Sequence, residues 1–211
     1  MPTIIKSKTV FFDFDGVIKD SMNVKSLAFE QIFSSFGQKL SEKIKLHNEE
    51  NGGMSRFDKL PIYFEWTQQE TSKSLVEKYA EKFSLLVKHK VINSDWVDGI
   101  LSYLENNNNR QQYFLVTATP QQEIEDILGQ LKIAEYFKQV IGSPTDKKDA
   151  IQIILKKYKI KQKQSVMIGD SSSDYEAATA NKVPFVLRKT NLNKKLQKQL
   201  NCKMIEDFIN E

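Results

Sequence analysis

The chain of 211 residues holds a single cysteine, Cys202, and two histidines, His47 and His89. One thiol cannot close an internal disulfide, and with no histidine beside it Cys202 makes a poor metal ligand or nucleophile. A disulfide scaffold is excluded, and a reducing compartment agrees with that. His47 and His89 read as helix-face or surface residues that nothing pairs. Glycine and proline are scarce, 8 and 5 residues, beside 40% hydrophobic and 27% charged residues, which removes fibrous and disordered classes. No apolar run approaches the roughly 18 residues that span a bilayer, and the best candidate, around 10–14, is broken by Asp13. A membrane partner is therefore not expected. The net charge of +4 is spread along nearly every segment with no basic block, which argues against a nucleic-acid partner. The opening Met-Pro-Thr-Ile-Ile-Lys lacks the apolar segment of a secretory signal, so a cytoplasmic location is expected.

What is present is an alternation. Three apolar runs rich in β-formers, 9–13, 113–117 and 164–169, read as buried strands, with weaker candidates at 139–142, 184–187 and 203–205. Helix-period segments at 121–131, 148–158 and 173–180 lie between them. Strands alternating with helices predict an α/β fold, a Rossmann-like, doubly wound and mostly parallel sheet. Residues 21–104 break the rhythm. Apolar residues recur there at three- and four-residue spacing, as in 24–36, 57–67 and 72–87, with no convincing strand. The expected organisation is a core of 1–20 and 105–211 carrying an inserted all-helical module, 21–104. The asparagine run 106–109 reads as a solvated turn returning to the sheet.

Each of the three best strands ends on polar residues: Asp13 and Asp15, then Thr117, then Asp170 and Asp174. In a parallel sheet these five groups, remote in sequence, meet at the carboxyl edge, where such folds bind ligands. Four of the five are carboxylates. Two like charges about 4 Å apart repel by roughly 4 kcal/mol at an effective dielectric of 20, so the cluster calls for a cation or shared protons. Hard oxygens without His or Cys suit Mg2+ better than zinc. Taken singly, each group has a plainer reading: a capped strand end or Asx-turn for Asp13 and Asp15, a common strand-end residue for Thr117, and a helix cap for Asp174.

As an ordered set, these residues resemble the haloacid dehalogenase-like phosphohydrolases. Phe-Phe-Asp13-Phe-Asp15-Gly16-Val17 is similar to the family's first motif and Leu-Val-Thr117 to its second. The lysine of Gly142-Ser-Pro-Thr-Asp-Lys147-Lys148 resembles the third, and Gly169-Asp170-Ser-Ser-Ser-Asp174 the fourth. The four span residues 9–178 in the family's order. The resemblance implies a magnesium-dependent phosphatase acting on a small phosphorylated metabolite. In it Asp13 would be the nucleophile that forms an aspartyl-phosphate, and Asp15 the acid and base. Thr117 and the amide of Ala118 would bind the phosphoryl group. Lys147 would balance charge, with Lys148 as its neighbouring alternative. Asp13, Asp170 and the Asp15 carbonyl would hold the ion, with Asp174 touching it or orienting water or Lys147.

Within the insertion, Gly52-Gly53-Met54-Ser55-Arg56 resembles a substrate-specificity loop that a cap lowers onto the site. Arg56 suits a carboxylate, a sugar hydroxyl or a second phosphate. Ser55-x-x-Asp58 is equally a capping box with Arg56 as a first-turn residue, and Lys59 is a weaker candidate. Two rival readings remain: a sugar-phosphate mutase of the β-phosphoglucomutase type, which differs in the cap, and a non-catalytic phospholigand-binding module. The sequence leaves the substrate and the oligomeric state open.

Overall fold

A computed structural model describes residues 4–107 and 110–211 of the chain, so Asn108 and Asn109 of the expected solvated turn lie outside the described residues. Six strands, β1 (Thr9–Phe12), β2 (Gln112–Pro120), β3 (Phe137–Ser143), β4 (Ser165–Gly169), β5 (Phe185–Arg188) and β6 (Lys203–Ile205), form one sheet in the order β3-β2-β1-β4-β5-β6. Every pairing is parallel. β1 lies between β2 and β4, with Phe12 level with Leu115 on one side and Ile168 on the other. The strand order reverses at β1, and the crevice beyond the carboxyl ends of β1 and β4 is where an open parallel sheet presents its ligand site.

The side-chain period of two divides the sheet's apolar residues between two covered faces. Val10, Phe12, Tyr113, Leu115, Val166 and Ile168 belong to one buried cluster, and Phe11, Phe114, Val116, Met167 and Leu187 to the other. The second face is covered by α7 (Lys147–Lys157) and α8 (Ser172–Ala180), through Ile151, Ile154, Ala177 and Ala178. The first is covered by α5 (Ile100–Asn107) and α6 (Gln121–Leu131), with Tyr103 edge-on to Phe12 at 6.3 Å.

Between β1 and α5 lie four helices: α1 (Met22–Phe33), α2 (Gln38–Glu50), α3 (Arg56–Trp66) and α4 (Lys73–Ile92). They share an aromatic centre in which Phe29 lies 4.1 Å from Phe83 and 5.3 Å from Tyr63, centroid to centroid. His47 belongs to this layer, its Nδ1 3.2 Å from the Tyr63 hydroxyl. The chain leaves and re-enters the sheet region side by side. Asp20 N donates to Asp95 O at 2.9 Å, Val97 N to Ile18 O at 3.0 Å, and the Lys19 ammonium sits 4.2 Å from the Trp96 ring. A short helix, α9 (Lys194–Gln199), follows β5.

Several elements depart from the spacing-based expectation. β2 runs on to Pro120, because after an irregularity Pro120 pairs with Ser143 of β3. α2 buries only Ser41, Ile44 and Asn48, too little apolar surface to announce a helix. α4 continues to Ile92, beyond the expected end at 87. No helix among the described residues is long and apolar enough to cross a membrane.

Candidate active site

The carboxyl edge of the sheet brings together Asp13, Asp15, Thr117, Lys147, Asp170 and Asp174, all of them buried. One carboxylate oxygen from each of Asp13, Asp170 and Asp174 lies within 4.8 Å of the others. The turn after β1 makes this possible. Gly16 adopts φ +76°, and a Cβ there would fall 2.2 Å from Asp170 Oδ2, so only glycine lets the first loop close against the end of β4.

Lys147, the first residue of α7, spans the cluster. Its Nζ donates to Asp13 Oδ2 at 2.8 Å and to Asp174 Oδ1 at 2.7 Å. Asp146 caps the helix by accepting from the Asp149 amide at 3.0 Å, which leaves the lysine free to point inward, while Lys148 is exposed. Burial pushes the Lys147 ammonium down, but Asp13 and Asp174 outweigh it and hold it above its ordinary value. Asp174 is fully buried, and its other oxygen accepts from the Ser171 amide at 3.1 Å and the Ser171 hydroxyl at 2.6 Å. The capping box foreseen for Asp174 and its place beside Lys147 therefore coexist.

Asp13 and Asp15, two residues apart, sit in opposite environments. Asp13 Oδ1 accepts from the Phe14 amide at 2.7 Å. Burial, then Asp174 and Asp15, push its carboxyl up to about 7 against the pull of Lys147. Burial also raises Asp15, but a hydrogen-bonded ion pair with Lys25, with bonds from the Ser21 and Thr119 hydroxyls at 2.5 and 3.2 Å, brings it below the ordinary value. Asp15 is thus held ionised, its carboxylate turned towards α1. Asp170 is the least compensated of the four. No hydrogen bond to its carboxylate is present among the described residues, and burial, then Asp13 and Asp174, raise it well above the ordinary value. Its backbone oxygen accepts from the Asn193 amide nitrogen at 2.7 Å.

Thr117 is buried, and its hydroxyl accepts from the Thr119 amide at 3.2 Å. Thr117 and Ala118 line a small cavity of about 30 Å3, together with Asp13, Asp15, Lys147 and, from the helical layer, Lys25, Arg56 and Lys59. The 52–56 loop presses on the core, since a Cβ on Gly53 would fall 1.9 Å from Ser173 Oγ. The Arg56 guanidinium, however, is already engaged. It forms a bidentate pair with Glu123 of α6 at 2.8 and 2.6 Å, hydrogen-bonds Ser84 of α4, and lies 4.6 Å from the Phe83 ring. Ser84 also donates to Glu123, at 2.5 Å. Arg56 in this arrangement clasps the helical layer to the sheet domain.

Lys25, Thr119, Asn48 and Glu123 are site residues that motif spacing did not mark. Thr119 carried a readable signal, being two residues beyond Thr117 on the same strand. Lys25 carried none: it meets Thr119 across 94 positions.

Fold and geometry together define a doubly wound α/β protein with an acidic, lysine-bridged crevice at its switch point. A family model described as haloacid dehalogenase-like hydrolase matches residues 10–187, and the chain belongs to that family. It is 26% identical over 192 residues to phosphoglycolate phosphatase 1 of Pseudomonas aeruginosa, covering 82% of this chain and 66% of that protein. It is 27% identical over 184 residues to the phosphorylated carbohydrates phosphatase of Thermotoga maritima, covering 81% and 80%. Among solved structures, a haloacid dehalogenase-like family protein of Streptococcus pneumoniae superposes with a TM-score of 0.69 at 18% identity, covering 94% of each chain. The HAD-hydrolase YfnB of Bacillus subtilis, bound to magnesium, does so at 0.70 with 16% identity, covering 96% and 95%.

Proposed function

We propose that the chain is a magnesium-dependent phosphatase that hydrolyses a small phosphate monoester through an aspartyl-phosphate on Asp13. The observation that carries this reading is the set of three buried carboxylates within 4.8 Å of one another at the ends of β1 and β4, two of them, Asp13 and Asp174, bridged by Lys147. Such a set fits a hard divalent cation. Its donors are all oxygens, and among the described residues the Asp170 carboxylate has no hydrogen-bond or ion-pair partner. Asp13, Asp170 and the Asp15 carbonyl would hold the ion; Asp174, with both oxygens engaged by Lys147 and Ser171, would orient the lysine. Bound there, magnesium supplies positive charge against the carboxylates and the phosphoryl oxygens.

In the first half-reaction a carboxylate oxygen of Asp13 bonds to phosphorus, and the bond from phosphorus to the ester oxygen breaks. Asp15 gives its proton to the departing alkoxide. In the second half-reaction Asp15 takes a proton from water, the hydroxide bonds to phosphorus, and Asp13 is released with inorganic phosphate. The Thr117 hydroxyl and Ala118 amide donate to the phosphoryl oxygens, and Lys147 keeps Asp13 and the phosphate from repelling each other. The amino ends of α7 and α8 lie at the same sheet edge and favour an anion there. Asp15 as held here is the base; serving first as acid requires Lys25 to withdraw. Lys25 rides on α1, so helices α1–α4, within 21–104, would act as a cap. The cap opens to admit substrate, closes to exclude water, and turns on the paired connections at 17–21 and 94–98.

Relatives named as phosphoglycolate and phosphorylated-carbohydrate phosphatases favour a small metabolite as substrate, and the cytoplasm is the compartment that would supply it. The test is release of inorganic phosphate from a panel of phosphate esters, with magnesium and with a chelator. The expected result is release that magnesium restores after chelation. Release that is unaffected by chelation would contradict the metal's part in the proposal.

A further inference from the structure

The helical side of the cavity carries one more buried cation than the protein's own acids match. Lys25 is paired with Asp15, Arg56 with Glu123, and Lys147 with Asp13 and Asp174. Lys59 is the remaining cation of the lining. It is 3% exposed, and its Nζ donates at 2.6 Å to the amide oxygen of Asn48, a neutral group whose own nitrogen donates to Ser26 at 2.9 Å. No carboxylate among the described residues lies within ion-pair distance of it. The Phe29 ring, 5.9 Å away, is its other neighbour of note.

An ammonium withdrawn from water without a counter-charge is unfavourable, and such a group relaxes by losing its proton or finding an anion. Burial, reinforced by Lys25, Arg56 and Lys147, lowers Lys59 to about 7, although Asp15 pulls the other way. Lys59 lines the same cavity as Asp15, the residue assigned above to protonate the departing alkoxide, so it stands beside the path of the leaving group. An ester whose leaving group is itself anionic would supply the missing charge.

Resting on the phosphatase reading above, we propose that Lys59 anchors a carboxylate on the leaving group. The substrates are then small phosphate monoesters bearing a carboxylate one or two carbons from the ester oxygen. Size selects the carboxylate over a second phosphate. The cavity measures about 30 Å3, on the order of one or two waters, so the helical layer must draw back to admit the phosphoryl group itself, and beside Lys59 a planar three-atom carboxylate asks for less further room than a second tetrahedral phosphate. Lys59 has three donors and uses one on Asn48, so a carboxylate can be accepted without displacing the amide. Arg56 and Lys25, already neutralised, set the walls rather than the charge preference.

The test compares kcat/KM of the intact enzyme with magnesium on three esters: phosphoglycolate, ethylene glycol monophosphate, which replaces the carboxylate by a hydroxymethyl group, and ethylene glycol bisphosphate. The carboxylated ester is expected to exceed the hydroxyl ester by about 30-fold or more, and the bisphosphate to lie below it. Lys59→Met should shrink that preference at least tenfold, chiefly through KM, and Lys59→Arg should keep more of it. A wild-type preference of threefold or less overturns the assignment without any variant. So do equal losses on both esters in Lys59→Met, and a bisphosphate that outranks the carboxylate. If the wild type releases phosphate from none of the esters, the phosphatase reading itself fails and takes this assignment with it. Turnover of all three without preference spares the first and removes the second.

Discussion

Below the cavity, at the sheet edge, three buried carboxylates, Asp13, Asp170 and Asp174, cluster beside one cation, Lys147, which pairs with Asp13 and Asp174 and leaves Asp170 over. Above it, the helical layer presents three buried or half-buried cations, Lys25, Arg56 and Lys59, to two carboxylates, Asp15 and Glu123. The lower half is short of positive charge and the upper half of negative charge. The two halves are also built differently. Strand ends fix the lower one, with the Gly16 turn held against Asp170. Helices attached through the paired connections beside Asp20 and Asp95 carry the upper one. A buried imbalance of either sign is unfavourable until its counter-ion arrives, so each half is complete only with something the chain does not itself provide. A divalent cation answers the first and an anionic ester the second.

The largest way to break the lower half is Asp13→Asn. It should reduce kcat by about a thousandfold or more, because no other group on the edge can form the covalent intermediate. Its melting temperature should stay near that of the wild type, since an amide relieves carboxylate repulsion. Turnover close to normal in that variant would remove the covalent route.

The upper half breaks next at Arg56→Ala. Leaving Glu123 buried without its partner should destabilise the fold by about 3–5 kcal/mol in chemical denaturation. Turnover should fall alike on carboxylated and uncharged esters, because the guanidinium clasps α3 and α4 to α6. A loss confined to one ester would return Arg56 to substrate recognition, as the loop's sequence suggested.

A smaller effect sharpens the comparison through pH. With Lys59 near 7 in the folded state and near 10.5 unfolded, the unfolded chain binds more protons between those values. Stability of the substrate-free protein should therefore rise with pH from 7 to about 9, by at most roughly 1.4 kcal/mol per unit from this group. Denaturation midpoints across that range would show the rise, and Lys59→Met should flatten it. A fall over the same range that Lys59→Met abolishes would reverse the assignment.

The strand-end part of the lower half was legible in the sequence because its residues stand at the ends of apolar runs. Asp13, Thr117 and Asp170 follow strands whose character is local, and parallel pairing does the gathering. Lys147 was distinguishable from Lys148 only in three dimensions, where the Asp146 cap sets which lysine faces inward. The upper half was largely illegible. Arg56 looks like a ligand-facing arginine after two glycines, yet its partner Glu123 stands 67 positions away. Lys25 sits on a helix whose period says nothing about Asp15, and Lys59, in the sequence only a weaker candidate beside Arg56, gains weight once Asn48 is seen to be its hydrogen-bond partner among the described residues. Strand ends announce themselves, whereas pairings across two layers depend on docking that no local pattern encodes. The same reason hid the extension of β2 to Pro120, which long-range pairing with Ser143 sustains.

The most direct measurement compares the melting temperature of the wild type and Asp170→Asn, each with saturating magnesium and with a chelator. Chelated wild type should melt at or below the variant, because Asp170 is then a buried carboxylate without a hydrogen-bond partner among the described residues. Magnesium should raise the wild type, by about 2.7 kcal/mol at a hundred times the dissociation constant, and leave Asp170→Asn nearly unmoved. An equal magnesium response in both proteins would contradict the claim that the sheet edge is assembled around a cation.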